Sequence, residues 1–587
     1  MTLSLNHQFI KSKILVLFVL LFISQLSVAQ TKEAQIDKLI NTYVDYNTFN
    51  GSVLIAENGK VIYKKGFGMA NMEWDIPNAP NTKHRLGSIS KQFTGLLVLQ
   101  LAAEGKIDLQ APITTYLPDY NKENGDRITT HHLLTHTSGI PNYTSFPGFV
   151  RNDSRDPYTP TEFLKRFSDM DLEFTPGEKF SYSNSGYFLL GALIEKVSGK
   201  TYEQMLQERI FTPLGMNDSG YDHHKTILKN RATGYEKEAN AFVNSGYLDM
   251  SIPYAAGSLY STVEDLYKWD QALYTNKLLT KEYRDLFFGK HIEAGRRSHY
   301  GYGWRMGNDR IGNTEERIET ISHGGGINGF NTNISRALSD KSLIVLLNNT
   351  GRAPLREITS SIRAILYDKA YDFPKKSIAN ELLDVALNNG KEAITKHYTT
   401  IKDVKDHYID EGEMNQVGYQ LFQSGKLDEA VAIFKINVEA YPKSSNVYDS
   451  YAEGLMSQGK NELAITNYRK SIELNPNNQN GISMLKKLGA DVSDLEKEIN
   501  VPDAILQSYV GKYELAPSFI IEITKDGKQL KAQATGQPIF DIFPKTENVF
   551  YLKVVEAQLT FNKNDKGEVE SATLKQGGRE TTGKRLK

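Results

Sequence analysis

The stretch His84-Arg-Leu-Gly-Ser-Ile-Ser-Lys-Gln-Phe-Thr-Gly-Leu-Leu-Val-Leu-Gln-Leu-Ala-Ala-Glu-Gly105 is the one around which the rest of the chain is read. From Phe93 the apolar residues Phe93, Leu96, Leu97, Val98, Leu101 and Ala102 are dense enough to predict a helix buried on most sides. Gly105 stands where a glycine ends such a helix. Ser88 and Lys91 are three residues apart, so a helix opened by Ser88 carries both side chains on one face of its first turn. The free N–H groups of that turn make the local potential positive, which favours a neutral Lys91 and a developing oxyanion beside Ser88. A neutral lysine there takes the serine proton, the Ser-Lys form of nucleophile activation. The same S-x-x-K spacing recurs at Ser457 and Lys460 and at Ser483 and Lys486, so the motif has meaning only together with residues elsewhere.

The 587 residues are 40% hydrophobic and 24% charged, ordinary globular material for roughly three to four domains. A formal net charge of −1 argues against a nucleic-acid or anionic-membrane partner. Residues 1–29 carry Lys11 and Lys13, an apolar run from Ile14 to Ile23, and Ser27-Val28-Ala29. This pattern reads as a secretory signal with a small-x-small cleavage site, too short to span a bilayer. The expected location is periplasmic or secreted, with no stable membrane insertion after signal removal. The chain has no cysteine, which leaves neither a disulfide nor a lipoprotein anchor, so packing alone must hold it together.

Asn58-Gly59, between the β-rich runs 51–57 and 60–67, predicts a tight hairpin. Residues 128–143 read as a short helix ended by Gly139 and Pro141; His131, His132 and His136 in it are read as hydrogen-bonding structural groups rather than metal ligands, because no glutamate or cysteine supports them. A Pro176-Gly177 turn leads to Tyr182-Ser183-Asn184 and an amphipathic helix ending at Gly199, which leaves Tyr182 on a loop where it can point into a cleft and Asn184 where it can cap. Ser261 and Glu264 read as a capping box opening another helix. After Tyr302-Gly303-Trp304 comes His323-Gly324-Gly325-Gly326, whose glycines let a backbone approach a ligand closely, the requirement for an oxyanion donor. Strands then follow over 332–335 and 342–347, and a helix over 354–367.

Beyond about 376 the chain turns helical. Gly425, Ala430, Phe434 and Pro442 recur as Gly459, Ala464, Tyr468 and Pro476, each offset being 34 (for example 459 − 425), the period of a tetratricopeptide helix pair. Since such repeats need about three copies, residues 378–412 are expected to supply a degenerate cap. Residues 503–587 alternate in short strands and are expected to form a small antiparallel β-barrel or half-barrel.

Taken together and in this order, Ser88-Ile-Ser-Lys91, Tyr182-Ser-Asn184 and His323-Gly-Gly325 resemble the serine β-lactamase, penicillin-binding protein and carboxylesterase superfamily, in its class C-like branch. Leu133-Leu-Thr-His-Thr-Ser-Gly-Ile140 and Pro213-Leu-Gly-Met216 look like that family too, and the resemblance covers roughly residues 35–370. It implies that Ser88 is acylated, that Lys91 helps deprotonate it, and that Tyr182 is a general base or proton shuttle with a phenol lowered in pKa by Lys91 and the third motif. Asn184 would orient substrate or Lys91, His323, Gly324 and Gly325 would bind substrate, and the backbone N–H groups of Ser88 and Gly326 would form the oxyanion hole. No cofactor and no metal are implied. The family more often has lysine where this chain has His323; a histidine that titrates near neutrality points away from efficient β-lactam hydrolysis and toward esters or unusual amides.

The expected architecture is α+β: a β-lactamase/transpeptidase-like domain over residues 30–373, with an antiparallel sheet flanked by helices, then tetratricopeptide-like repeats over 374–499 and a small all-β domain over 500–587. The expected activity is an exported serine hydrolase acting on a small-molecule or peptide substrate. The rival reading is a scaffold whose repeats bind a peptide or protein while the hydrolase domain is inert.

Overall fold

The computed structural model describes residues 31–149, 154–238, 241–495, 500–516, 519–555, 557–564, 566–577 and 579–586. The expected signal over residues 1–29 lies outside them. The chain divides into two compact units at Lys376 and Ser377. Among the described residues, no helix is long and apolar enough to cross a membrane.

The first unit opens with α1 (Lys32–Asp45) and the hairpin β1 (Gly51–Glu57) and β2 (Lys60–Phe67). Asn58 and Gly59 at its tip both have positive φ, 52° and 72°, as a two-residue turn matched to strand twist requires. The remaining strands of the sheet come far later: β3 (Ile292–Glu293), β4 (Ser298–Tyr300), β5 (Arg305–Arg310), β6 (Arg317–Ile327), β7 (Phe330–Ala337) and β8 (Ser342–Asn348). They pair in the order β3-β4-β5-β6-β7-β8-β1-β2, antiparallel throughout. The early hairpin thus docks on the last strand, with Val53 opposite Leu346 and Ile55 opposite Ile344.

Strands β1 and β8 are buried on both faces, and their alternation divides the interior in two. Val53, Ile55, Ile344 and Leu346 face α1 and the closing helix α5 (Leu355–Leu366), whereas Leu54, Ala56, Leu343, Val345 and Leu347 face the larger helical layer. That layer is built on α2 (Ser90–Ala103), α3 (Asn184–Ser198) and α4 (Val263–Ala272). Helix α2 is buried nearly all round, as its apolar density demands, and Phe93 stacks on Trp269 with ring centroids 4.3 Å apart. It stops where Gly105, at φ 70°, donates to Ala102 O and Lys106 N–H reaches back to Leu101 O. The cap of α4 is Thr262, which accepts from Asp265 N–H, one residue beyond the expected Ser261.

The second unit begins with the helix pair Ile378–Asn389 and Lys391–Ile401. Next come helices starting at Glu411, Leu427, Ser445, Asn461 and Gln479, so that alternate helices start 34 residues apart (445 − 411, 461 − 427, 479 − 445). The equivalent positions Ala430 and Ala464, and Phe434 and Tyr468, are all buried between helices. The array is followed by eight antiparallel strands that close into a barrel, the first (Gly511–Ala516) pairing with the last (Arg579–Arg585). Its interior is filled: Tyr513, Ile523, Leu530, Ile542, Phe550 and Phe561 are buried, and Tyr509 from a short preceding helix stacks on Phe561 at 4.2 Å. A barrel packed in this way has its interior occupied by side chains.

One ion pair in the first unit is wholly buried. Arg336 on β7 donates from Nε to Asp270 Oδ1 of α4 at 2.7 Å, both side chains being 0% exposed. The guanidinium also lies over the rings of Tyr274 and Phe288. Removing the carboxylate leaves this cation buried without its partner, which costs about 3–5 kcal/mol. Asp270→Ala is therefore expected to destabilise the first unit by that amount. All three tryptophans, Trp74, Trp269 and Trp304, lie in this unit, so denaturant unfolding followed by tryptophan fluorescence reads it directly. A shift below about 1 kcal/mol would contradict the assignment.

Candidate active site

Gly87–Ile89 forms one 3₁₀ turn that runs into α2 at Ser90. In a 3₁₀ turn residues i and i+3 eclipse, which aligns Ser88 above Lys91 more closely than an α-turn opened by Ser88 would. The turn is held against the sheet by a tight backbone crossing. Gly87 has φ 55°, and a Cβ there would sit 2.9 Å from Gly326 N. A Cβ on Gly325 would meet Leu86 O at 1.9 Å, the same carbonyl that accepts from Thr332 Oγ1 at 2.7 Å. Only glycine at these two positions lets the edge of β6 lie against the turn that carries Ser88.

Lys91 is 0% exposed. Its Nζ lies 3.1 Å from Ser88 Oγ, 2.8 Å from Asn184 Oδ1 and 2.8 Å from Ala256 O. Burial holds the ammonium well below the ordinary lysine range. The two oxygens Asn184 Oδ1 and Ala256 O can only accept. A neutral amine satisfies both with its two N–H bonds and presents its lone pair to the Ser88 hydroxyl. Asn184 is the first residue of α3 and does not cap it; its Nδ2 is held by Asn142 Oδ1 and Thr144 Oγ1, which turns Oδ1 toward Lys91.

Tyr182 lies on the loop before α3, shares a side-chain hydrogen bond with Ser88, and has its ring centroid 4.9 Å from Lys91 Nζ. Its phenol is not lowered in pKa as the resemblance implied. Burial pushes it up, and the Ser88 hydrogen bond and the Arg305 charge only partly oppose this. His323 also departs from expectation: it does not titrate near neutrality, because burial, with the charge of Arg305 assisting, brings it down to about 3. Its Nδ1–H donates to Gly324 O at 2.7 Å, and its Nε2 accepts from the Tyr300 hydroxyl at 2.9 Å. The third motif thus contributes a neutral imidazole.

These side chains open on one cleft of about 340 Å³ lined by Ser88, Tyr182, Tyr300, Arg305, Ser322, His323 and Gly324. The three stretches, which lie about ninety and about 140 residues apart in the sequence, therefore meet, with hydroxyl, amine, phenol and glycine-rich edge side by side. Arg305, Tyr300 and Ser322 were not foreseen. Arg305 stands directly opposite Ser322 across β5 and β6, one residue from His323, and its Nη1 is anchored on Ala294 O and Ser298 Oγ. Only the pairing register of these strands could have revealed it. Among the described lining residues Arg305 is a cation and none is a carboxylate.

The histidines of 128–143 take places other than one helix face. The helix ends at Leu134, and His136 has φ 58°, so His132 and His136 do not stack one turn apart. His132 Nδ1 accepts from Thr129 N–H in a capping box, and His131 Nδ1 is 2.8 Å from the Tyr302 hydroxyl.

The chemistry that this arrangement permits is attack by a serine oxygen whose proton passes to a neutral lysine. Known proteins carry the same arrangement of chain. The family model for beta-lactamase matches residues 36–366, and that for DUF3471, a domain of unknown function, matches residues 495–585 over the barrel. A putative penicillin-binding protein, PbpX, from Bacillus subtilis (strain 168) is 32% identical over 340 residues, 57% of this chain and 80% of the relative. Teichoic acid D-alanine hydrolase from Staphylococcus aureus is 32% identical over 263 residues, 42% of this chain and 63% of its own. Among solved structures, the penicillin-binding protein from Bacillus halodurans is similar with a TM-score of 0.50 at 27% identity, covering 56% of this chain and 99% of that one. With its family match spanning the whole sheet and both flanking layers, the chain belongs to the beta-lactamase family and carries a penicillin-binding-protein-like serine hydrolase domain.

Proposed function

We propose that the chain is an exported serine hydrolase, of the class C β-lactamase-like type, that cleaves an ester or amide through an acyl-enzyme on Ser88. The observation that carries this reading is the placement of Lys91: buried, with both its N–H bonds directed to acceptors and its lone pair left for the Ser88 hydroxyl. In the reaction so read, Ser88 Oγ attacks the carbonyl carbon and its proton passes to Lys91 Nζ. The carbonyl oxygen takes up the negative charge between the backbone N–H groups of Ser88 and Gly326. Tyr182, a neutral phenol, gives its proton to the leaving oxygen or nitrogen as that bond breaks, and the proton held by Lys91 restores it. Water then repeats the sequence on the acyl-enzyme and frees the acid.

Arg305 supports a finer statement about substrate. A cleft with this cation and no lining carboxylate favours a substrate that carries an anionic group beside the scissile bond. The similarity to a teichoic acid D-alanine hydrolase supports including D-alanine-bearing substrates among those to test. The helical array, with its 34-residue spacing, supports the reading of tetratricopeptide-type repeats that hold a peptide or protein. Truncation after Lys376 tests this: loss of partner binding with retained turnover assigns the array to recruitment, and lost turnover makes it part of the catalytic unit.

Labelling with a fluorophosphonate or a fluorescent penicillin is expected for the wild type and is expected to vanish in Ser88→Ala. Equal labelling of the two proteins would remove Ser88 as nucleophile.

The pH dependence follows from the shifts above. The active form of Lys91 is neutral and its pKa is lowered, so kcat/KM is expected to rise with pH as the ammonium deprotonates, in a range below that of an ordinary lysine. His323, brought down to about 3, is already neutral and is expected to add no inflection near the ordinary histidine value of 6.5. A profile falling from acid toward neutral pH would contradict both assignments.

Across a panel of p-nitrophenyl esters, D-alanyl peptides and nitrocefin, Arg305→Gln is expected to raise KM on the order of 10-fold for substrates with an anionic group and to leave neutral esters unchanged. An equal effect on neutral and anionic substrates would remove Arg305 from substrate selection.

A further inference from the structure

His136 is used by none of the chemistry described so far, yet it is 1% exposed and packs against Tyr182 and Tyr300, two residues that line the cleft. It is held at φ 58°, a left-handed conformation that few residues adopt and that histidine and asparagine tolerate better than most. From that position it grips four consecutive residues of the loop that carries Tyr182. The ring of Phe180 meets its ring edge-on at 5.8 Å. Ser181 N–H donates to its carbonyl at 2.9 Å. The ring of Tyr182 lies over its ring at 4.2 Å with planes tilted by 34°. Ser183 N–H donates to its Nδ1 at 3.1 Å. The rings of Tyr187 and Tyr300 close the other sides at 5.0 and 4.7 Å.

The bond from Ser183 fixes the tautomer. A nitrogen that accepts a backbone N–H carries no proton, so the neutral ring is protonated on Nε2, which is buried and has no hydrogen-bond partner among the described residues. A buried N–H left without a partner costs stability. A side chain that served packing alone would be better replaced by an apolar ring. The feature that histidine alone combines here is an acceptor aimed at Ser183, a flat face beneath Tyr182, and tolerance of a left-handed backbone.

We infer that His136 is the positioning residue for Tyr182: its Nδ1 acceptor and ring face hold the loop over 180–183 so that the Tyr182 phenol meets Ser88. The inference rests on the reading of Tyr182 as the proton donor to the leaving group. His136 touches no reacting atom and exchanges no proton during turnover; its effect passes through the place at which Tyr182 stands.

The test compares three variants in the full chain, using whichever ester of the substrate panel the wild type turns over fastest. His136→Phe keeps a flat ring and loses the acceptor. It is expected to lower kcat on the order of 100-fold with KM changed by less than about 3-fold, the size of effect that a misplacement near 1 Å produces. His136→Asn loses the ring but keeps an acceptor oxygen one bond beyond the γ position, as Nδ1 is, and tolerates the left-handed backbone; it is expected to retain kcat within about 10-fold of wild type. In a Tyr182→Phe background, His136→Phe is expected to change kcat by less than about 2-fold, because the residue it positions has already been disabled.

Equal loss in the Asn and Phe variants, both with wild-type thermal melts, would overturn the inference, and so would full additivity with Tyr182→Phe. Should the Phe variant lose its cooperative melt, the Asn variant decides alone: a loss as large as that of Tyr182→Phe overturns the proposal. The underlying reading fails separately, if Ser88→Ala or Tyr182→Phe turns over like the wild type. An inactive Ser88→Ala beside a fully active His136→Phe would sink the inference and leave that reading intact.

Discussion

A lysine amine enclosed in a protein interior with no carboxylate beside it is the constraint on which the site depends. Burial disfavours its charge, and besides the Ser88 hydroxyl the amine meets two neutral oxygen acceptors, Asn184 Oδ1 and Ala256 O. The acceptors come from different places. Asn184 Oδ1 is delivered by the first residue of α3, and Ala256 O by the short turn over 254–256 ahead of α4. Helix α2 must be buried nearly all round to bring Lys91 to them, so the apolar density of the segment after Lys91 and the chemistry of its first turn are one requirement.

The sheet has a matching task. Strand β6 lies close against the Ser88 turn, and the crossing of Gly87 and Gly325 sets that closeness. Beyond the crossing, β5 and β4 bring Arg305 and Tyr300 to the same cleft, one as a cation and the other as the donor that holds His323 in one tautomer. The electrostatics of the site are those of a neutral acid–base pair with a cation at its rim. A lysine in place of His323 would have put a second charge within reach of Lys91.

Much of the architecture was legible along the chain because it rests on local rules. The Asn58-Gly59 turn, the buried helix ended by Gly105, the strands from 330 to 348 and the helices repeating every 34 residues each follow from short-range patterns of polarity and turn chemistry. The barrel was legible as alternating strands, although its closure was not, since closure depends on the first and last strands meeting. The helix expected over 128–143 was overdrawn for the same reason in reverse: His136 is pulled into a left-handed conformation by the loop it holds, a contact made by residues more than forty positions away.

The site divides along the same line. Ser88, Lys91, Tyr182, Asn184, His323 and the glycines were legible as candidates because each belongs to a short motif and the motifs as a set resemble those of the family. Their ionisation was not, because a pKa is set by what surrounds a group in space: Tyr182 is raised rather than lowered, and His323 is neutral far below its ordinary range. Arg305 belongs to no motif and enters only through strand register. What the sequence by itself determined was which groups are present and which elements carry them. The tertiary structure alone decided which groups are neutral, which one is charged and which way each hydrogen bond runs, because these depend on distance and on exclusion of water, neither of which is encoded at any single position.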